Sequence, residues 1–546
     1  MIRLITGPAR SGKSHAVYQE FHDKICSGKA EKAILVVPEQ YTLEAEKQYL
    51  DHSKAPGILG AEIISFKRLC FRVLQEVGMH YDVPITEIGR LMLLRNLFES
   101  HHSELVYYQN VYERPGFLFR FYELIKELRQ SMAGTEALEK LKEQLDEESL
   151  LYHKLSDLTL VYHAYTEATD GLYSDDEDYY AMMLDGIGHS QKIKDTWIWV
   201  DGFDSFTAQE YEIIRALTEQ AKQVTVTVPI DDGYDSEHGE SVFLHTATML
   251  KRLEKMASEI GLPIERVTLD RAFESKALEY LSKAVFRYPY SAYPAQKDQS
   301  AVHVFSAENR MAEVEQCALE MIRLVRDEHF EWRDLAVVSN DLSAYEMAVK
   351  RVFDRYELPY FMDAKSAMRD NPLIDFILAL CRTGDNLYGE ENAVQLLKTG
   401  FFDVEDEAVF QFELYVRAWR LRERQLCKPF EKPAPEGVHL EAAESVRAFY
   451  CEVTDDIRQL KRVPAQHMAE TLYRVMVALK LPEKIEAQVD RFMEKGDFDH
   501  AQTFAQVWNR VMTTLDELVG ISGEALMSLS DVYTLLEAGF ERMETG

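Results

Sequence analysis

The sequence predicts an α/β fold: a parallel-sheet core built around a phosphate-binding loop and interrupted by a large helical insertion. Three observations predict it. Gly7-Pro8-Ala9-Arg10-Ser11-Gly12-Lys13-Ser14 fits G-x-x-x-x-G-K-[ST] at every fixed position and follows the short apolar run Met1–Ile5. Trp197-Ile198-Trp199-Val200-Asp201 is a second apolar run that ends in an acid, as the magnesium-side strand of such a loop does. Between them, residues 86 to about 190 carry apolar residues at three- and four-residue spacing, the period of helices.

The elements follow in order. The run 1–5 suits a buried parallel strand, and Val17, Phe21 and Ile25 recur on one face of the helix after the loop. Strand, glycine loop and helix together aim backbone N–H groups at a phosphate. Gly7, Gly12, Lys13, Ser14 and Asp201 are therefore the candidate ATP-binding residues. Lys13 would reach the outer phosphates, and Ser14 and Asp201 would hold Mg2+ through the nucleotide. Residue 202 is glycine, where helicase-type ATPases carry the glutamate that polarises the attacking water. Nucleotide binding without fast hydrolysis is the expectation; Asp204 would replace that base only if its turn swung inward.

Residues 32–37 and 61–65 read as further strands, followed by Pro38-Glu39-Gln40-Tyr41-Thr42 and by the helical stretch Phe66–Leu74. Residues 63–75 hold Lys67, Arg68 and Arg72 and no acid, interleaved with Phe66 and Phe71. Cations for phosphates and rings for bases suit a single strand of nucleic acid. The same spacing describes a core helix with Phe66, Leu69 and Val73 buried, and spacing alone favours that second reading. Helices are predicted at Ile88–Phe98, Phe117–Leu128 and Leu151–Tyr165. The acidic stretch 174–178 reads as a solvated turn and helix start, with a metal site as the alternative. Gln223–Val228 is a strand that closes the first core. A second α/β unit begins near Ala301, with strands at Val302–Phe305 and Leu335–Val338 and helices at Met311–Val325 and Tyr345–Phe353. Helices dominate from Asn371 onward. Arg417, Arg420 and Arg424 fall on one helical face in a stretch (414–430) rich in cations, either a solvated face or a surface for DNA or a partner. The expected organisation is 1–80 plus 191–300 as the first core, 81–190 as its insertion, 301–370 as the start of a second core, and 371–546 as a helical insertion.

Composition narrows the function. The 46% hydrophobic and 28% charged content of 546 residues belongs to globular chains and excludes global disorder. With 61 Lys and Arg against 93 Asp and Glu, the net charge of −32 excludes coating DNA or anionic lipid through the overall field. Nucleic acid would have to meet a local basic surface. The six cysteines form no C-x-x-C pair, which excludes a disulfide scaffold, a zinc ribbon and a thioredoxin-type centre. The N-terminal stretch has no signal-peptide pattern, and no apolar run approaches the roughly 20 residues of a membrane span. The expected location is the cytoplasm, with no membrane partner.

The arrangement resembles superfamily-one DNA helicases, with RecA-like P-loop cores and insertions. The segment Ile64–Leu74 looks like the strand-contacting motif those helicases place after their second strand. Val37-Pro38-Glu39-Gln40-Tyr41-Thr42, Ser65-Phe66-Lys67-Arg68-Leu69, the stretch Val200–Glu210 (VDGFDSFTAQE) and Leu358-Pro359-Tyr360-Phe361-Met362-Asp363 narrow the resemblance to the AddB (RexB) family. Members of that family work within the bacterial AddAB ATP-dependent helicase–exodeoxyribonuclease.

The resemblance implies a helicase-like scanner without motor function. It would hold single-stranded DNA and recognise the Chi sequence as the complex processes double-stranded DNA ends, with AddA as partner and motor. Gln40, Thr42, Phe66, Arg68, Phe71 and Phe206 match the family's Chi-contacting motifs, which moves the 66–74 helix toward DNA contact. Two departures, the missing upstream glutamine motif and Pro229-Ile230-Asp231-Asp232 in place of a Gly-Asp…Gln signature, agree with Gly202. The family also carries a C-terminal nuclease domain with its metal and an iron–sulfur cluster. The sequence reads as an N-terminal fragment expected to lack both. An independent P-loop ATPase or phosphotransferase is the alternative, and a pure assembly scaffold is a third reading.

Overall fold

The computed structural model describes residues 1–27, 32–53, 57, 60–79, 83–112, 114, 116–169, 173–174, 176–231, 242–270, 273, 275–285, 291–294, 300–362, 366–367, 371–383, 389–540 and 544–545. The chain divides into two compact units, Met1–Lys297 and Asp298–Gly546. Among the described residues, no helix is long and apolar enough to cross a membrane. All six cysteines are free thiols, with Cys70 and Cys381 buried.

The first unit is organised by a six-stranded, wholly parallel sheet: β1 (Ile2–Gly7), β2 (Ala33–Val36), β3 (Ala61–Ile64), β4 (Trp197–Val200), β5 (Gln223–Pro229) and β6 (Ile264–Thr268). Its order is β3-β2-β4-β5-β1-β6. The interior strands β2 and β5 read as near-continuous apolar or β-branched runs because both faces of the sheet are covered. Alternate residues go to opposite layers. Ile5, Leu35, Ile63 and Trp199 pack with α1 (Lys13–Cys26) and α2 (Thr42–Ser53) through Val17, Phe21, Ala45 and Tyr49. Phe21 sits edge-on to Trp199 and to Tyr49, at 5.3 and 5.2 Å. Leu4, Val36, Ile64, Val200 and Val226 go to the other layer, beneath α3 (Phe66–Val77) and helices inserted later in the chain.

The insertion forms α4 (Glu87–Ser100), α5 (Phe117–Gln130), α6 (Leu150–Thr169) and α7 (Asp176–Gly186), each covering most of its predicted stretch or, for α7, supplied by the acidic segment. The last helix returns to the sheet, where Tyr179 and Met183 join the core beneath α3. Asp175 lies outside the described residues. Asp178 pairs with Arg129 at 3.0 Å, and no metal-binding cluster occurs among the described residues. The sheet is completed by α8 (Ala208–Gln220) and α9 (Leu244–Glu259), which cover the layer containing α3.

Three expectations change. The strand 223–228 does not close the core. It lies inside the sheet, and β6 forms the edge beyond β1. Being largely exposed, β6 needs no apolar run, so Ile-Glu-Arg-Val-Thr gives no strand signal. In the second unit, Arg310–Glu328 (α10) and Ser343–Arg355 (α11) form and pack through Val314, Ala318, Val349 and Phe353. However, among the described residues no ladder forms at Val302–Phe305 or Leu335–Val338; Val304 and Val338 are each 92% exposed. A strand exists only through a partner, and these two runs do not pair with each other. The arginines at 417, 420 and 424 do not share a face either. The helix Asp406–Trp419 ends where Arg420 turns left-handed (φ 46°), and Arg424 belongs to a separate turn, Glu423–Leu426. Arg417 is engaged by Glu413 at 2.7 Å.

A buried carboxylate ties the insertion together. Asp157 of α6 is 2% exposed and accepts backbone N–H bonds from Val106, Tyr107 and Tyr108 at 2.7–3.1 Å. Charge-assisted bonds of this kind hold the segment after α4 against α6. Asp157→Ala leaves three backbone donors without this acceptor, that of buried Tyr108 among them, and is expected to cost about 1–3 kcal/mol. A drop in the thermal unfolding midpoint would show it, while Glu167→Ala on the exposed face of the same helix should leave the midpoint within about 1 °C.

Candidate functional site

Because all six strands run the same way, their C-terminal ends share one edge of the sheet. Ligand sites of open parallel sheets form on that edge. It carries the loop 8–12 after β1, the turn 37–42 after β2, the cap of α3 after β3, and the turn 201–207 after β4.

The phosphate loop is formed as its sequence requires. Gly7 ends β1, and a β-carbon there would stand 2.5 Å from both the Leu269 carbonyl and the Ser11 hydroxyl, so the loop closes only around glycine. Gly12 is the N-cap of α1, and Lys13 and Ser14 open the helix. The Lys13 ammonium donates to the carbonyls of Gly7 and Pro8, at 2.8 and 2.7 Å, spanning the loop. Burial pushes its pKa down, opposed by the negative charge of Asp201.

Asp201 is 2% exposed. Its N–H donates to the Val36 carbonyl at 2.9 Å, and one Oδ accepts from the Thr227 hydroxyl at 2.6 Å. The other Oδ is buried with no hydrogen-bond partner among the described residues. A buried carboxylate oxygen without a donor invites a cation. The cradle closed by glycine, the loop lysine and this open oxygen fit a magnesium nucleotide, with Ser14 and Asp201 on the metal side.

Gly202 adopts φ 88°, the left-handed region that L side chains rarely enter, and a β-carbon there would stand 3.2 Å from Pro38 Cδ. A glutamate at this position would be strained by the backbone conformation and would need the Pro38 ring to give way by a few tenths of an ångström. Asp204 faces solvent and accepts from Ser205 at 3.3 Å.

The candidate DNA residues occupy the three neighbouring strand ends, β3, β2 and β4. Gln40 and Arg68 are exposed and Thr42 is half-buried. Arg68 stands in the first turn of α3, its N–H capped by the Ser65 hydroxyl at 3.3 Å. The aromatic residues behave differently. Phe66 (3% exposed) and Phe206 (7% exposed) belong to the core, as do Leu69 and Val73. Phe66 packs on Phe203 and Phe206 with ring centroids 5.3 and 6.1 Å apart, and Phe71 lies on Tyr179 of α7 at 4.7 Å. In this conformation, Phe66 and Phe206 support the surface from beneath, while Arg68 and Gln40 face outward. The turn holding Phe206 is fixed by a reciprocal cap: Glu210 N–H donates to the Thr207 hydroxyl and Thr207 N–H to the Glu210 carboxylate, at 3.2 and 2.8 Å.

Sequence reasoning missed Phe203, Pro38, Thr227 and Tyr41. Phe203 is half-buried between two predicted residues, and its place in the Asp-Gly-Phe-Asp turn was its only signal. Thr227 lies in an unremarkable β-branched run.

Comparisons with known proteins give the family. The family model described as "ADDB, N-terminal" matches residues 4–282. The chain is similar to the B subunit of the ATP-dependent helicase/deoxyribonuclease of Alkaliphilus oremlandii, 30% identical over 568 residues that cover 100% of this chain and 49% of the relative. The corresponding protein of Alkaliphilus metalliredigens gives 30% over 571 residues, and that of Thermoanaerobacter sp. strain X514 gives 31% over 570, with the same coverage. The chain thus spans about half the length of the curated relatives it matches.

Substituting Gly202 tests the turn. Gly202→Ala should destabilise the chain by about 1–3 kcal/mol, from the left-handed backbone together with the Pro38 contact. Gly202→Glu should be at least as costly and should show no gain in ATP turnover over wild type in a phosphate-release assay. A faster, equally stable Gly202→Glu protein would show that the turn is not so constrained.

Proposed function

The chain belongs to the AddB N-terminal family, and from that premise we propose that it is a helicase-like module that binds ATP without appreciable turnover and holds single-stranded DNA on the adjacent strand ends. The observation that carries this reading is the shared edge: Arg68, Gln40 with Thr42, and Asp201 with Gly202 stand on neighbouring strands β3, β2 and β4. In the longer protein, the module would scan for the Chi sequence beside the motor protein AddA as double-stranded ends are processed.

Lys13 would hold the outer phosphates and Ser14 and Asp201 the magnesium; when bound, the nucleotide supplies phosphate charge and the metal at this edge. The chain's own residues do the rest. Thr227 fixes the Asp201 carboxylate so that one oxygen stays available. Gly202 offers no base for a water molecule, and Asp204 is exposed while Asp201 is buried. On the DNA side, Arg68 offers a cation for a phosphate or guanine, while Gln40 and Thr42 offer donors and acceptors for base edges. The buried phenylalanines keep that surface in place.

The intact phosphate loop also favours a second reading, an independent P-loop ATPase or phosphotransferase. The two readings separate in one set of measurements. Lys13→Ala should abolish magnesium-dependent ATP binding by calorimetry, while wild-type turnover stays far below the 1–10³ s⁻¹ typical of enzymes, as an order of magnitude. Turnover of several ATP per second that is lost in Lys13→Ala would favour the second reading. Arg68→Ala should weaken binding of an oligonucleotide and lower the salt slope of log K by about 0.7, the value of one single-strand phosphate contact. Gln40→Ala should leave that slope unchanged and alter the preference between oligonucleotide sequences. Unchanged oligonucleotide affinity in both variants at fixed salt would rule out the DNA site.

A further inference from the structure

Tyr41 sits between Gln40 and Thr42, yet its side chain is engaged by α2 and α1, the helix that opens at the phosphate loop. Its hydroxyl donates to Gln48 Oε1 of α2 at 2.7 Å, and the same oxygen lies 3.4 Å from the hydroxyl of Tyr18. Tyr18 belongs to α1, one helical turn beyond Ser14. Gln48 is oriented by a bond from its amide to Glu44 at 2.9 Å. Burial raises the pKa of both phenols, and the charge of Asp201 pushes each the same way. Both therefore stay protonated at neutral pH and act as donors.

The turn that bears Tyr41 is a closed unit. Tyr41 N–H donates to the Pro38 carbonyl at 2.9 Å, and the Thr42 hydroxyl to the Glu39 carbonyl at 3.0 Å. Pro38 at its start abuts Gly202, the residue after the metal-side carboxylate. The turn meets the nucleotide edge through the Pro38 ring beside Gly202, and its Tyr41 phenol shares Gln48 with Tyr18 of α1, the helix that the phosphate loop opens, while Gln40 stays exposed.

We propose that Tyr41 is a positioning residue that links occupancy of the phosphate loop to the placement of Gln40 and Thr42 on DNA. The proposal rests on the nucleotide and single-strand reading above and names the regulation of that site. A magnesium nucleotide held at Lys13 and Asp201 would change the charge that faces the two phenols, and so the bonds they share with Gln48. A shift of the Tyr41 hydroxyl moves the closed turn as one piece, and Gln40 and Thr42 move with it. Coupling between sites of this kind is reciprocal, so DNA held at Gln40 must change nucleotide affinity by the same factor.

The test uses the full chain, ATPγS with magnesium, and a fluorescent oligo-dT of about 20 nucleotides, long enough to cover a single-strand groove. Each ligand's Kd is measured alone and with the other saturating, in wild type, Tyr41→Phe and Gln48→Leu. Wild type should show a change of about five-fold or more in the Kd for DNA when nucleotide is present, and the same factor in the reverse titration. Tyr41→Phe, which keeps the ring and its packing, should bind each ligand alone within about two-fold of wild type and lose most of the coupling. Gln48→Leu should do the same. Full coupling in Tyr41→Phe overturns the proposal and leaves the functional reading intact. Independent binding of both ligands in wild type has the same meaning. Failure of wild type to bind nucleotide or DNA overturns the functional reading and the proposal with it.

Discussion

The edge of the sheet depends on one buried carboxylate. Asp201 is bonded through its N–H to β2 and through its side chain to Thr227 of β5, so it ties its own strand to both neighbours at the point where the strands stop. Its second oxygen has no protein partner among the described residues. An ionised group held this deep without compensation is costly, and a structure keeps it where something else completes it. The surrounding parts are arranged around that demand. The loop lysine lies near enough for its charge to be felt, the glycine after Asp201 admits the Pro38 turn, and the reciprocal Thr207–Glu210 cap fixes the chain as it leaves the edge.

The parallel sheet explains why two kinds of chemistry meet there. In an antiparallel sheet, successive loops would alternate between ends. Here every strand delivers its following loop to the same side, so residues as far apart in sequence as 13, 40, 68 and 201 are placed by topology alone. The −32 charge is compatible with nucleic-acid binding on this basis. Under the proposed function the contact would rest on Arg68 and its neighbours at one edge, with the acidic remainder weakening phosphate attraction elsewhere. Base-directed groups such as Gln40 would then weigh more in deciding where the chain holds.

The legible part of the fold was the part with two-sided burial or fixed chemistry. The phosphate loop is a motif with few alternatives, and β2, β4 and β5 are continuous runs because both faces are covered. The edge strand β6 was invisible because exposure removes the apolar requirement. Runs 302–305 and 335–338 have strand composition but no ladder partner among the described residues, and pairing is a tertiary fact. On the site side, the motifs that hold the candidate residues could be picked out one by one, but their exposure was not readable. Phe66 and Arg68 are two residues apart on one helix, and only the position of Phe203, Phe206 and the sheet decides that the ring points inward and the guanidinium outward. Tyr41 was missed because it bears its chemistry inside a motif read for the residues on either side of it.

The Gly202–Pro38 contact bears on the history of the module. A carboxylate at position 202 is disfavoured by the backbone conformation and by the proline ring, and Pro38 belongs to the turn that carries Gln40 and Thr42. A single mutation toward glutamate meets a stability loss before any catalytic benefit, and clearing the ring first disturbs the turn. Each one-step path to an acid at position 202 therefore passes through a less stable protein. The pairing acts as a ratchet that holds position 202 to glycine for as long as Pro38 opens the neighbouring turn.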